Sequence, residues 1–161
     1  MDTTVDKTQD REESMAYKKI VCGVTASAHS QKAALEAARL AKQHGAELTY
    51  VYAVDLAFLK GGRMGSLSQD VIAQSIEKLG KQIVDLAEQI AASEGVKPDK
   101  IVRRGAALDV LGQVMNEQKA DLLVLGHEER TFFEKHLFEG SVEEHVQELK
   151  ARTGAEVTII R

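Results

Sequence analysis

The chain has one cysteine, no massed charge of either sign and no long apolar run. A single cysteine excludes an intrachain disulfide. Cys22 lies inside the apolar run 20–24, where a free thiol packs as a small hydrophobe. This cysteine usage makes no demand for an oxidising compartment, so a cytoplasmic setting is expected. No apolar run approaches the ~20 residues a membrane helix needs, and no membrane partner is expected. The 21 basic residues are scattered among 25 acidic ones, leaving a formal charge of −4. That balance argues against nucleic acid or an anionic membrane surface as the main partner. Residues 1–14 are polar and lack the apolar core of a signal peptide. A disordered polar tail over 1–16 is expected, ahead of one domain over 17–161 that is long enough for a sizeable core.

Several chemistries lack their residues. Neither the phosphate loop G-x-x-x-x-G-K-[ST] nor the serine elbow G-x-S-x-G occurs. No histidine, cysteine or carboxylate cluster stands at metal-ligand spacing, so no metal site and no catalytic residue are assigned. A phosphate-accepting receiver needs acidic residues after the first strand and an aspartate after the third, but Thr25 and Gly105 stand there. The turn 25–30, TASAHS, also differs from the S-G-G-x-D-S-like turn of a pyrophosphatase-type nucleotide enzyme.

What is present is alternation. Residues 20–24 read as a central strand. The small polar turn 25–30 follows, with Ser27 or Ser30 able to cap a helix by accepting from its free N–H groups. Ala34, Leu35, Ala38 and Ala41 mark that helix's buried face, and Gly45 ends it. A second strand spans 48–54. Ser66 or Ser68 then opens the longest helix, whose Ile72, Ile76, Leu79, Ile83, Leu86 and Ile90 form one apolar stripe, read as lying on a sheet. A partner coiled coil explains the same stripe. Gly95 and Pro98 end it. Further strands are expected over 100–105, 122–125 and 156–161. Between them lie a helix marked by Leu108, Leu111, Val114 and Met115 and another from Ser141, where Ser141 and Glu144 have capping-box spacing. The order predicts an α/β fold: a doubly wound, five-stranded, mostly parallel sheet with helices on both faces and right-handed crossovers. Ligands of such sheets bind at the carboxyl ends of strands where the winding reverses. Here the turn after strand one and the loop after strand four would flank that crevice.

The stretch 121–146 carries the most information. A buried strand, Gly126, a charged loop, and Gly140-Ser141 opening a helix is how such sheets build an anion site. The run KIVCGVTAS (19–27), the run KADLLVLG (119–126), the run GAA (105–107) and the closing GSVEEHV (140–146) together resemble the universal stress protein family over almost the whole chain. The resemblance implies a Rossmann-like, adenine-nucleotide-binding-like fold and a stress-response signalling or regulatory module. It implies a site for ATP or another adenine nucleotide, with Mg; this chain's departures from the family's pattern then point to weak or altered binding. On the family's pattern G-x-x-G-(x)9-G-[ST], Gly126, Gly140, Ser141 and Val142 match, and Ala53 takes the adenine-side position. Thr25 stands where the family usually has aspartate. Glu129 stands where the second glycine belongs, with 130–139 one residue longer than the pattern; absorbing that residue earlier puts Arg130 there instead.

A carboxylate about 5 Å from one phosphate charge costs roughly 3 kcal/mol at an effective dielectric of ~20. A helix amino terminus contributes only ~1–2 kcal/mol. Glu129 turned inward therefore outweighs the helix unless magnesium or Arg130 intervenes. Two other readings stand beside this one. One is a non-nucleotide-binding interaction dimer of the same fold. The other is a weak nucleotide hydrolase using His127 with Glu128 or Glu129. Phe132, Phe133 and Phe138 either cover strand ends or offer a surface to an unknown protein partner. The terminal strand Glu156 to Arg161 reads as an edge with apolar Val157, Ile159 and Ile160. A homodimer paired along it would satisfy that edge, as the resemblance also implies.

Overall fold

The computed structural model describes residues 16–59, 65–127 and 145–161. Strands β1 (Lys19–Gly23), β2 (Glu47–Val54), β3 (Asp99–Arg104), β4 (Leu122–Gly126) and β5 (Glu156–Ile160) alternate with helices α1 (Ala28–His44), α2 (Ser66–Ser93), α3 (Ala107–Gln118) and α4 (Val146–Thr153). The strands form one sheet in the order β3-β2-β1-β4-β5, and every pairing is parallel. The winding reverses at β1. The chain steps out to β2 and β3 on one side and returns to β4 and β5 on the other.

Strand alternation sorts the core into two layers. Ile20, Cys22, Tyr50 and Val124 pack with α1 and α2. Val21, Val51, Leu123 and Leu125 pack with α3 and α4, where Leu149 is fully buried. The inner strands are apolar on both faces because both faces are covered. Tyr50, buried in the first layer, donates from its hydroxyl to the Ala34 carbonyl at 2.7 Å, so its polar tip is satisfied.

Local chemistry sets α1. Ser27 caps it by accepting from Ser30 N at 3.1 Å, and Gly45 ends it in the left-handed conformation at φ 64°. Ala33, Ala34, Ala37, Ala38 and Ala41 form a buried face of small residues that lets the helix lie close to the sheet. At the amino ends of the strands, the Asp121 carboxylate accepts from Lys18 N and Lys19 N at 2.9 and 3.1 Å, tying the entry of β1 to that of β4.

Helix α2 corrects the sequence reading. The face it presents to the core is Ala73, Gly80, Val84, Ala87 and Ala91, with Ile83 shared between the two stripes. Leu79 and Leu86 remain 45% and 44% exposed. The reason is steric. A Cβ at Gly80 would stand 2.5 Å from the Tyr52 ring, so only a face of minimal side chains brings the helix this close to β2. Ser66 is the first helical residue, but Gly65 holds the cap position and no side-chain cap bond forms. The capping box Ser141 and Glu144 lies outside the described residues.

The two edge strands differ. On β3, Lys100 binds Asp85 and Glu88 of α2 at 2.8 and 3.1 Å, and Arg104 binds Glu77. Arg103, pointing the other way, makes two 3.0 Å bonds to Glu117 of α3. That edge is dressed in charge on both faces. On β5, Val157, Ile159 and Ile160 are half-buried against the core, and only Glu156 and the following Arg161 frame the strand with charge.

Candidate functional site

The reversal of winding leaves a cleft at the carboxyl ends of β1, β2 and β4. It encloses about 160 Å³ and is lined by Gly23 to Ala26, Ser30, Val51 to Ala53, Ala107, Leu111, Leu125 and Gly126. Three residues picked from sequence, Thr25, Ala53 and Gly126, meet here. Glu129, Arg130, Gly140, Ser141 and Val142 lie outside the described residues, as do Glu128, Phe132, Phe133 and Phe138.

One wall is a hydroxyl-bonded turn. Val24 N donates to Val51 O at 2.9 Å, carrying the β1–β2 ladder one step past the strand. The chain then leaves the sheet. Thr25 N donates to the Oγ of Ser30, a 2.6 Å bond to a side chain only 3% exposed. Thr25 Oγ1 donates to Ser27 Oγ at 3.1 Å and accepts from Ser27 N at 3.3 Å. Three hydroxyls thus hold the turn that feeds α1, and Thr25 keeps an exposed position at the mouth of the cleft.

Beside it stand Leu125 and Gly126. A Cβ on Gly126 would lie 2.6 Å from the carbonyl carbon and oxygen of His29 and 2.7 Å from Ser30 N. The residue is glycine because the backbone of α1's first turn passes against it, a contact that no side chain permits. Gly23 meets a softer limit, with Leu125 Cδ2 at 2.9 Å and Leu111 Cδ2 at 3.3 Å. The floor is apolar, built from Val51, Ala53, Leu111 and Leu125. Tyr52 borders it on the α2 side, and burial pushes its phenol above the usual range, so the ring stays neutral. No residue lining the cleft among those described carries a charge at neutral pH.

His127 follows the cleft's last strand. Its backbone N–H donates to Ile160 O at 2.8 Å, continuing the β4–β5 pairing. Its ring meets His29 edge-on, with centroids 5.6 Å apart and planes at 83°. The described geometry gives His127 a packing partner on α1.

Ser30, Leu111 and Ala107 are among the lining residues that sequence reasoning did not assign to this site. Ser30 was a cap candidate, yet it serves as the buried acceptor that shapes the Thr25 turn. Leu111 was read as helix core, and Ala107 as part of the approach to a helix. The first turn of α3 comes over β1 and β2 only in three dimensions. The one cue in the chain was that this helix follows a strand directly.

Chemically, the cleft offers an apolar, uncharged floor with a hydroxyl and strand-end backbone groups at its rim. Such a site buries a planar ring and orients it through a few polar contacts.

Residues 16–159 match the model of the universal stress protein family. A universal stress protein of Methanocaldococcus jannaschii is 31% identical over 130 residues, covering 81% of this chain and 75% of that protein. Among solved structures, universal stress protein UspA from Lactobacillus plantarum superposes with a TM-score of 0.72 at 21% identity, over 90% of this chain and 98% of that one. A universal stress protein crystallised in complex with cAMP gives a TM-score of 0.62 at 24% identity, over 91% and 98% of the two chains. At such identities the two structures speak to the fold, which they share with this protein. The family match, the curated relative and the β3-β2-β1-β4-β5 sheet agree, and the chain belongs to the universal stress protein family.

Proposed function

We propose that the protein is a stress-response signalling or regulatory module of the cytoplasm that binds an adenine nucleotide, weakly or in altered form, and works by binding rather than turnover. The observation that carries this reading is the uncharged cleft at the β1/β4 reversal, where Thr25 stands at the rim of an apolar floor that includes Ala53. The floor suits a purine ring, the hydroxyl of Thr25 suits a polar edge of the base or sugar, and a related protein of the same fold was crystallised with cAMP.

Phosphate contacts fall to Gly140, Ser141 and Val142, with Arg130 or magnesium offsetting Glu129. A ligand that binds only the native state stabilises it by RT ln(1 + [L]/Kd), about 1.4 kcal/mol at tenfold excess over Kd. Millimolar ATP with magnesium, and cAMP in parallel, are expected to raise the thermal midpoint and to move the amide signals of Thr25, Ala53 and Gly126. Unmoved signals with both ligands would remove the nucleotide from the proposal.

A specific observation also favours a dimer. Among the described residues, the β3 edge is guarded by charge against pairing and the β5 edge is not. Pairing of β5 with its own copy joins two modules through the strand that His127 N binds, next to the cleft.

A further inference from the structure

We propose that α2 carries a second self-association surface, on which another copy of this chain lies antiparallel along the stripe through Leu79 and Leu86. This inference stands apart from the nucleotide reading.

Four large apolar side chains are exposed on this helix: Leu67 at 81%, Val71 at 62%, Leu79 at 45% and Leu86 at 44%. The small-residue face serves the core, which leaves more than two-fifths of each of these residues open to solvent. Leu79 and Leu86 belong to a run, Ile72, Ile76, Leu79, Ile83, Leu86 and Ile90, stepping by four and three residues. That is the spacing of a coiled-coil seam. Ile83 is buried beneath the seam and Ile90 packs at the core's margin, which leaves the two leucines as its open knobs.

The charges beside the seam select the occupant. At ~100° per residue, Lys78 and Asp85 fall on one flank, about 100° from the leucines, and both face solvent. The opposite flank holds Ile76 and Ile83. In an antiparallel pair of identical helices, like flanks face each other. With the two-fold axis beside Gln82, Leu79 of each copy meets Leu86 of the other, and Lys78 of each copy meets Asp85 of the other. The surface is therefore self-complementary, with a leucine pair and an opposite-charge pair repeated twice per interface. A parallel copy would set the charged flank against the isoleucine flank. Asp85 also holds Lys100 at 2.8 Å, which fixes its position, while Glu88 gives Lys100 a second anion.

The test uses the full chain with Gln82→Cys as a cross-linking handle, since the native Cys22 is buried. A short bis-maleimide at low salt is expected to join two copies through position 82. Adding Lys78→Glu, or Asp85→Lys, sets like charges opposite each other and should cut cross-linking at least fivefold. An equimolar mixture of the two variants restores opposite charges at both contacts and should recover it. Circular dichroism checks each fold, and Lys78→Glu alone decides the matter if Asp85→Lys does not fold. Absence of cross-linking in the parent would mean that something other than a second copy covers the stripe. Equal cross-linking in parent and single variants would mean that the register is wrong. Either result overturns the proposal.

Discussion

Cys22 sits in the middle of the sheet with none of its surface open to water. Burial pushes its thiol far above the ordinary range, and burial followed by the charge of a Cys22 thiolate does the same for the Tyr50 phenol. Both groups hold their protons more tightly folded than unfolded. Each therefore contributes stability that is complete below its unfolded pKa and is lost as pH rises beyond it. For the thiol the loss begins near pH 8.5, and for the phenol near 10. Between those values only Cys22 acts, with a slope of up to about 1.4 kcal/mol per pH unit. Urea unfolding at pH 7.5, 9 and 10 should show stability falling more steeply in the parent than in Cys22→Ala. Parallel curves would contradict this account. Cys22 was readable as a buried thiol because its neighbours 20, 21 and 24 are apolar. Thr25 and Ala53, which both line the cleft, were named through the family resemblance. Ser30 was not, because its Oγ bond to Thr25 N depends on how sharply the turn folds back.

Among the elements, α1 was legible at its ends and over part of its buried face. Ser27 is the cap of the two serines offered, and Gly45 ends the helix. Ala34, Ala38 and Ala41 are buried, but Leu35 is only half-buried, and Ala33 and Ala37 complete the face instead. Helix α2 was not legible in this way, because it carries two overlapping periodic faces. Large isoleucines and leucines dominate a hydrophobic pattern, whereas approach to the sheet is governed by side-chain size, and the Tyr52 ring admits only Gly80. Periodicity reports that a helix has an apolar side and leaves open which of two such sides lies inward. The strands were read to within a residue or so because central parallel strands are continuous apolar runs. The β5 edge yields its own prediction. Thr158 lies at the middle of that strand, so two-fold pairing would bring two copies of position 158 near one another. Thr158→Lys would then set like charges opposite each other. Sedimentation should show a dimer in the parent and a shift toward monomer in the variant, with unchanged circular dichroism. A parent that sediments as a monomer at all concentrations would refute the strand-paired dimer.

At the scale of the whole molecule, two layers of helices meet across one sheet, and the closest contact at its reversal is backbone against backbone. Gly126→Ala drives a methyl into the His29 carbonyl and Ser30 N, neither of which can rotate aside. Overpacking of this kind costs about 1–3 kcal/mol, and the upper part of that range is expected here because the obstacle is main chain. Urea unfolding should show this loss, and the amide signals of residues 27–30 should move even without ligand. A neutral substitution would mean that α1 yields more readily than its caps imply. The same contact bears on how sequences of this kind are interpreted. A glycine dictated by a neighbouring helix will persist in a chain whose ligand has changed or gone, so counting it toward nucleotide recognition mistakes scaffolding for chemistry. Diagnostic weight belongs to positions whose side chains keep a bonding site to spare, as the Thr25 hydroxyl does with one lone pair beyond its two bonds to Ser27.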